Sequence, residues 1–134
     1  MKTLTWFLLL SLIFLGVITH ILKKYGVSQV QKFSFDKLLN ISFWMEIMTN
    51  PYIILTLAFG FIIWTVTLWL FQLEPLSRVV PMLYGCGIIT FLIVVLISKM
   101  LFGETLNPIQ TTGLILLVVS GVIASIGIYY LGCD

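Results

Sequence analysis

The stretch LEPLSRVVPMLYGCG (residues 73–87) decides the fold, because it joins two long apolar runs with a turn. Glu74, Pro75 and Ser77 are turn and helix-capping residues. They predict that one helix ends near Leu73 and that another begins near Leu76. The chain is therefore expected to form a tight helical hairpin at this point.

The second helix of this hairpin carries residues that favour bending and close approach. Pro81 either belongs to the first turn of that helix or kinks it. Gly85 and Gly87 leave a patch without side chains, where another helix or a ligand can come close. We interpret Pro81, Gly85 and Gly87 as a hinge.

The composition is that of an integral membrane protein. Of the 134 residues, 60% are hydrophobic and only 9% are charged, and the mean hydropathy is +1.17. A soluble domain carries about 25% charged residues. The net charge of +2 gives no reason to expect nucleic acid as a partner. Cys86, Cys133 and the single histidine lack the spacing of a disulfide framework or metal site, so we expect no metal and no cofactor.

Hydropathy predicts an all-α fold with one transmembrane domain over residues 1–134. Four spans are expected at about residues 4–22, 52–73, 76–101 and 109–131. The first run has about 19 residues, or about 28 Å as a helix. Lys2 could begin a signal peptide, but the run is long for one and lacks a cleavage site. We therefore interpret it as the first span.

The segment between the first two spans is the most polar part of the chain. Apolar residues recur at roughly helical spacing near residues 33–46, although Ser42 interrupts the pattern. The segment is either a short amphipathic helix at the membrane interface, with Trp44 at headgroup level, or an ordinary solvated loop.

Lysine and arginine counts predict the orientation in a plasma or inner cell membrane. One side holds two basic residues and the other holds five, namely Lys2 and Arg78 against Lys23, Lys24, Lys32, Lys37 and Lys99. Because the cytoplasmic side is normally the more basic, both termini should lie outside the cytoplasm.

The sequence offers no catalytic apparatus. It contains no Ser/His/Asp set, no HExxH, no Walker loop, no CxxC and no pair of carboxylates inside a span. Charged residues fall almost entirely at the predicted helix ends. We therefore expect that the protein is not an enzyme.

Small residues share one face of the last predicted helix. Gly113, Ser120, Gly121 and Ala124 would let a neighbouring helix approach closely. The neighbour is either a helix of the same chain or a second protomer. Because four thin helices hardly enclose a substrate path, we favour a homodimer, or a heterodimer with a close relative.

The segment from Pro75 to Gly87, the triplet Phe102-Gly103-Glu104 and the glycine-bearing last helix resemble the single four-helix repeat of the drug/metabolite transporter superfamily. Its small members are the small multidrug resistance exporters and the small subunits of the undecaprenyl-phosphate-aminoarabinose flippase. The similarity covers roughly residues 52–128, with a weaker match in the first helix. Residues 75–87 align without a gap to the exporters, whereas residues 81–83 are more similar to the flippase subunits.

Two departures from the exporters bear on function. Those exporters carry an essential glutamate midway along their first helix, where protons and cationic drugs compete. The corresponding position here is about Leu15, and residues 7–19 contain no acid. The helix after the hairpin is also about one turn longer than in either relative, which is typical of a tilted or longer span.

The resemblance implies a small dimeric transporter that moves an amphipathic or lipid-linked substrate, such as a polyprenyl-phosphate sugar, and contacts membrane lipids. One alternative is an exporter of small hydrophobic compounds with Glu74 or Glu104 coupling protons, although both sit where helix caps are expected. Another is an accessory subunit that does not transport.

The end of the first helix is the predicted substrate site. His20 and Lys24 are i and i+4 neighbours, whereas Lys23 points about 100° away from this face. Their side chains could bind an anionic headgroup, or the lysines could simply anchor the helix and enforce its orientation. Trp64, Arg78 and Tyr84 complete the candidate substrate-binding residues.

Overall fold

The structure, a computed structural model, describes residues 3–30 and 32–131, and for residues 125 and 127–131 it describes the backbone alone. Lys2 and Cys133, which entered the predictions above, lie outside these residues. The described chain is helical, with no strand, which confirms the all-α class. Its elements are α1 (Thr3–Gln29), α2 (Phe35–Leu38), α3 (Ile41–Thr49), α4 (Pro51–Leu73), α5 (Leu76–Phe102) and α6 (Pro108–Leu131).

Three helices, α1, α4 and α5, are long and apolar enough to cross a membrane. Within α6, the segment Pro108–Ala124 forms a shorter apolar helix. Most large apolar side chains on these helices are exposed, as expected where lipid replaces water around the protein. The length and composition of these helices are therefore compatible with a membrane protein.

The hairpin between α4 and α5 has the predicted boundaries, with α4 ending at Leu73 and α5 beginning at Leu76. The Glu74 backbone N–H donates to the Leu70 carbonyl and ends α4, while Pro75 holds an extended conformation before α5. Pro81 lies inside α5, beyond its first turn.

Two boundaries differ from the predictions. Helix α1 continues to Gln29 rather than ending near residue 22, because an apolar run marks the hydrocarbon span and not the end of hydrogen bonding. The predicted amphipathic helix near residues 33–46 is divided into α2 and α3. The Asn40 side chain accepts a hydrogen bond from the Ser42 N–H at 3.0 Å and thereby begins α3 as a new helix.

Helix α1 lies between α4 and α5 and contacts both, whereas α6 contacts only α5 in the described part of the chain. Two glycines of α1 allow these approaches. A Cβ atom on Gly16 would lie 2.9 Å from Thr90 Cγ2 of α5, and one on Gly26 would lie 2.8 Å from Ile53 Cγ1 of α4. The buried core lies where the three long helices meet near the hairpin, at Leu8, Leu9, Leu12, Leu70 and Val79.

Candidate functional site

Basic and aromatic side chains meet at the end of α1 farthest from the hairpin. Lys24 forms an ion pair with Glu104 of the α5–α6 connection, and its ammonium lies 5.6 Å from the centre of the Phe102 ring. Tyr25 packs between Phe102 and Tyr52, with ring centres 5.1 and 6.1 Å apart. We call these five residues the lysine–aromatic cluster. It ties α1 to both α4 and α5.

The predicted headgroup residues lie at this end of the molecule. His20 and Lys23 are exposed, and His20 precedes Lys24 by about one turn on the same face of α1. Lys24 is about half exposed, and so is its partner Glu104. An anionic ligand would therefore find the exposed ammonium of Lys23, the imidazole of His20, and the Lys24 ammonium, which already has a counter-ion.

The opposite end of α1 holds a nearly buried carboxylate. The Glu74 side chain is only 8% exposed, and its Oε1 accepts a hydrogen bond from Thr5 Oγ1 at 3.1 Å. Arg78 Nη1 lies 3.9 Å from Glu74 Oε2, with most of the Arg78 side chain exposed. Thr5 and Lys24 are separated by about 28 Å along α1. The structure thus does not bring Arg78 together with the predicted headgroup residues.

The other candidate binding residues are spread over two helices. Trp64 lies exposed on α4, with its ring centre 6.0 Å from that of Phe61. Tyr84 lies on α5 and faces α6, where its Cε1 would be 3.9 Å from a Cβ on Gly121. Nothing joins Trp64 and Tyr84 into one site within the described residues.

The predicted hinge and the predicted dimer face have different surroundings. A Cβ atom at Gly85 or Gly87 would meet no other atom within 4 Å, so the absence of a Cβ at either position is not required by a neighbouring helix of the described chain. Gly121 is buried against Ile88 and Tyr84 of α5. Small residues that remain exposed on α6 are Gly113, Ser120 and Ala124.

An apolar groove of about 270 Å³ lies between α5 and α6. Its walls include Phe91, Val95, Leu106, Gly113, Leu114 and Leu117. Gln110 is the polar side chain on its lining, and its Oε1 accepts a hydrogen bond from the Asn107 N–H at 3.0 Å. Leu106 follows Glu104 by two residues, so one end of the groove adjoins the lysine–aromatic cluster.

Sequence reasoning missed several parts of this arrangement. It did not identify Thr5 as the partner of Glu74, Tyr25 and Tyr52 as cluster members, or the groove beside Gln110. The sequence did hold one signal for the Lys24–Glu104 contact, since both residues were predicted to lie on the same side of the membrane. In the described residues, no three side chains of His, Cys, Asp or Glu lie close enough together to hold a metal ion.

No protein-family model, curated protein or solved structure matches this chain. Its resemblance to the drug/metabolite transporter superfamily therefore stays a prediction. Function has to be inferred from the chemistry of the two ends of α1 and of the groove.

Proposed function

We propose that the chain is a small four-span transporter of the drug/metabolite transporter type, which acts as a dimer and translocates an amphipathic or lipid-linked substrate such as a polyprenyl-phosphate sugar. The observation that carries this proposal is the exposed cationic end of α1. Lys23 and Lys24 lie there with His20 about one turn before Lys24, and the Lys24 ammonium lies beside the Phe102 ring, towards the end of a helix long enough to cross a membrane.

Phosphate chemistry explains why this end suits a lipid-linked substrate. Lysine side chains at a helix end can extend to the headgroup level, where charge-assisted hydrogen bonds to phosphate are strong. Glu104 neutralises Lys24 when no ligand is bound. Because both side chains are about half exposed, their ion pair contributes little stability, and a phosphate can replace the carboxylate at low cost.

The test compares two variants that break the same ion pair. Lys24→Gln removes the cation, whereas Glu104→Gln removes only its counter-ion. If Lys24 binds phosphate, translocation of a polyprenyl-phosphate sugar into proteoliposomes should fall roughly fivefold in Lys24→Gln, since one lysine near an anionic surface contributes about that much. Glu104→Gln should keep or raise the rate. His20→Ala should also lower it.

The alternative is that Lys24 only anchors α1 to the α5–α6 connection. In that case Lys24→Gln and Glu104→Gln should impair translocation equally. Lys37→Gln is the matched control, because Lys37 is another lysine on the same predicted side and lies outside the cluster. Orientation is checked separately for each variant, so that an inverted protein is not mistaken for an inactive one.

The dimer is proposed because α6 is attached to the rest of the described chain through α5 alone. The exposed Ser120 and Ala124 form the part of its small face that a second protomer can contact. A pair of chains would also supply enough helices to surround a substrate path. We further propose a plasma or inner membrane location, with both termini outside the cytoplasm.

Glu74 favours a second candidate, an exporter of small hydrophobic compounds. Its carboxylate is nearly buried and bonded to Thr5, and a buried acid is what proton-coupled export requires. Proton-driven efflux of a lipophilic cation, abolished by Glu74→Gln while Lys24→Gln has no effect, would replace the flippase proposal by this one. A purified protein that moves neither substrate would support the accessory-subunit alternative.

A further inference from the structure

The α5–α6 groove has an apolar lining that suits one hydrocarbon chain. Its volume of about 270 Å³ lies just below the roughly 300–1,000 Å³ of ordinary ligand pockets. This volume is smaller than that of a single helical turn, since a helix is about 10 Å or more across with side chains and rises about 5.4 Å per turn. Its lining is apolar apart from Gln110, whose side-chain oxygen is already engaged by Asn107.

Gly113 is the glycine on the lining of this groove. A Cβ atom at Gly113 would meet no other atom within 4 Å, so a larger side chain there would enter the groove rather than strike the opposite wall. A Cβ atom at Gly60 of α4 would likewise meet no other atom within 4 Å, but Gly60 does not line the groove. The two glycines therefore form a matched pair for testing occupancy.

The end of the groove near the α5–α6 connection adjoins positive charge. Leu106 of the lining lies two residues from Glu104, which is paired with Lys24. Lys99 lies in the last turn of α5, four residues after the lining residue Val95. Apolar walls that lead to lysines complement an amphipathic molecule with an anionic head.

We propose that the α5–α6 groove binds one hydrocarbon chain of an anionic lipid, whose phosphate exchanges with Glu104 at Lys24. This assignment rests on the proposed function and adds the position of the apolar part of the substrate. Glu104 then acts as an internal competitor of the phosphate. It keeps Lys24 neutralised while the groove is empty and releases it when the lipid enters.

Native mass spectrometry of the detergent-purified chain tests the proposal with two probes, phosphatidylglycerol and phosphatidylcholine carrying identical acyl chains. The wild-type chain should retain phosphatidylglycerol in preference. Gly113→Leu should weaken binding of both lipids about tenfold, because displacing two methylene groups from an apolar site costs that much. Gly60→Leu should bind like the wild type.

The charge variants should separate the contribution of the lipid headgroup to binding from that of the acyl chain. Lys24→Gln should weaken the binding of phosphatidylglycerol roughly fivefold and leave the binding of phosphatidylcholine unchanged. Glu104→Gln should strengthen the binding of phosphatidylglycerol, since the competing carboxylate is gone. If Gly113→Leu does not elute as the wild type does on size exclusion, Val95→Phe replaces it, because Val95 forms the opposite wall.

Equal binding by the Gly113→Leu and Gly60→Leu chains would overturn the groove assignment, and so would equal retention of the two lipids by the wild type. Both results concern binding alone. The proposed function instead fails if the wild-type chain moves no lipid-linked substrate in proteoliposomes, even where the groove binds lipid as described. The two failures are therefore distinguishable.

Discussion

Replacing Thr5 by valine should measure how much the hydrogen bond between Thr5 and Glu74 contributes to the packing of α1 against the hairpin. Valine has nearly the shape of threonine, so the change removes the hydroxyl without opening a cavity. Thr5 has no exposed surface and the Glu74 side chain is only 8% exposed, so water cannot easily replace the lost donor. The Glu74 Oε1 atom would lose its hydrogen bond from Thr5, leaving Arg78 at 3.9 Å from the other oxygen.

The expected loss of stability lies between two reference values for a side-chain hydrogen bond. A hydrogen bond to a charged group contributes about 1.5–3 kcal/mol in soluble proteins. Side-chain hydrogen bonds between transmembrane helices average only about 0.6 kcal/mol, because the unfolded chain in a membrane also finds partners. Thr5 and Glu74 lie at a helix end, between these environments. We expect Thr5→Val to lower the free energy of unfolding by about 1–2 kcal/mol.

The assay is reversible unfolding by sodium dodecyl sulfate in mixed micelles, followed by circular dichroism. Thr65→Val is the control, because the exposed Thr65 hydroxyl donates only to the Phe61 carbonyl of its own helix, and its loss should cost less than about 0.5 kcal/mol. A double-mutant cycle with Glu74→Gln should give a coupling of about 0.5 kcal/mol or more. Equal effects of the two valine variants, or zero coupling, would refute the reasoning.

Three further predictions concern orientation, association and packing. Cysteines added at positions 3 and 40 of a cysteine-free chain should be labelled in intact cells at position 3 only, and labelling of position 40 from outside would reverse the orientation. Ala124→Leu should reduce the crosslinked dimer in detergent because it fills the exposed small face of α6, and a dimer fraction equal to that of Ala58→Leu, a change on the exposed surface of α4, would reject this interface. In the unfolding assay, Gly26→Ala should cost about 1–3 kcal/mol because its Cβ would meet Ile53. Gly60→Ala should instead stabilise the chain by about 0.5–1 kcal/mol, and the same sign for both alanine variants would contradict the packing of α1 on α4.

The boundaries of the hairpin could be predicted because their signals are local. Glu74 and Pro75 interrupt two apolar runs, and a proline next to a polar residue ends a helix in almost any surroundings. The end of α1 gave no such signal. Residues 23–29 contain no proline, so the helix continues past the apolar span to Gln29. Asn40 was a visible capping signal that breaks the next segment into α2 and α3, yet hydrophobic spacing alone does not report it.

The candidate site could be predicted only in part, because its contacts join distant parts of the chain. Lys23 and Lys24 were identifiable as cations near a helix end, and His20 as their neighbour one turn earlier. The partner of Lys24 lies 80 residues away, and only the folded chain shows that Glu104 reaches it. The packing partners of Gly16 and Gly26 could not be predicted either, since a glycine in an apolar helix does not reveal which helix packs against it. Helix order in space, with α1 between α4 and α5, supplies that information.

The position of these contacts restricts how the helices can move. Thr5 holds the start of α1 at Glu74, just before α5 begins, and Lys24 holds its far end at Glu104, just after α5 ends. Sliding α1 along α5 would break at least one of these contacts. Helix α4 is also held, because the Asn50 side-chain amide donates to the Gly26 carbonyl of α1 at 3.4 Å. Of the four long helices, α6 has only α5 to contact within the described chain, so its displacement disrupts fewer interactions than that of α1, α4 or α5. Because α6 forms one wall of the groove, the long helix that moves at least cost is also the one that widens or closes it.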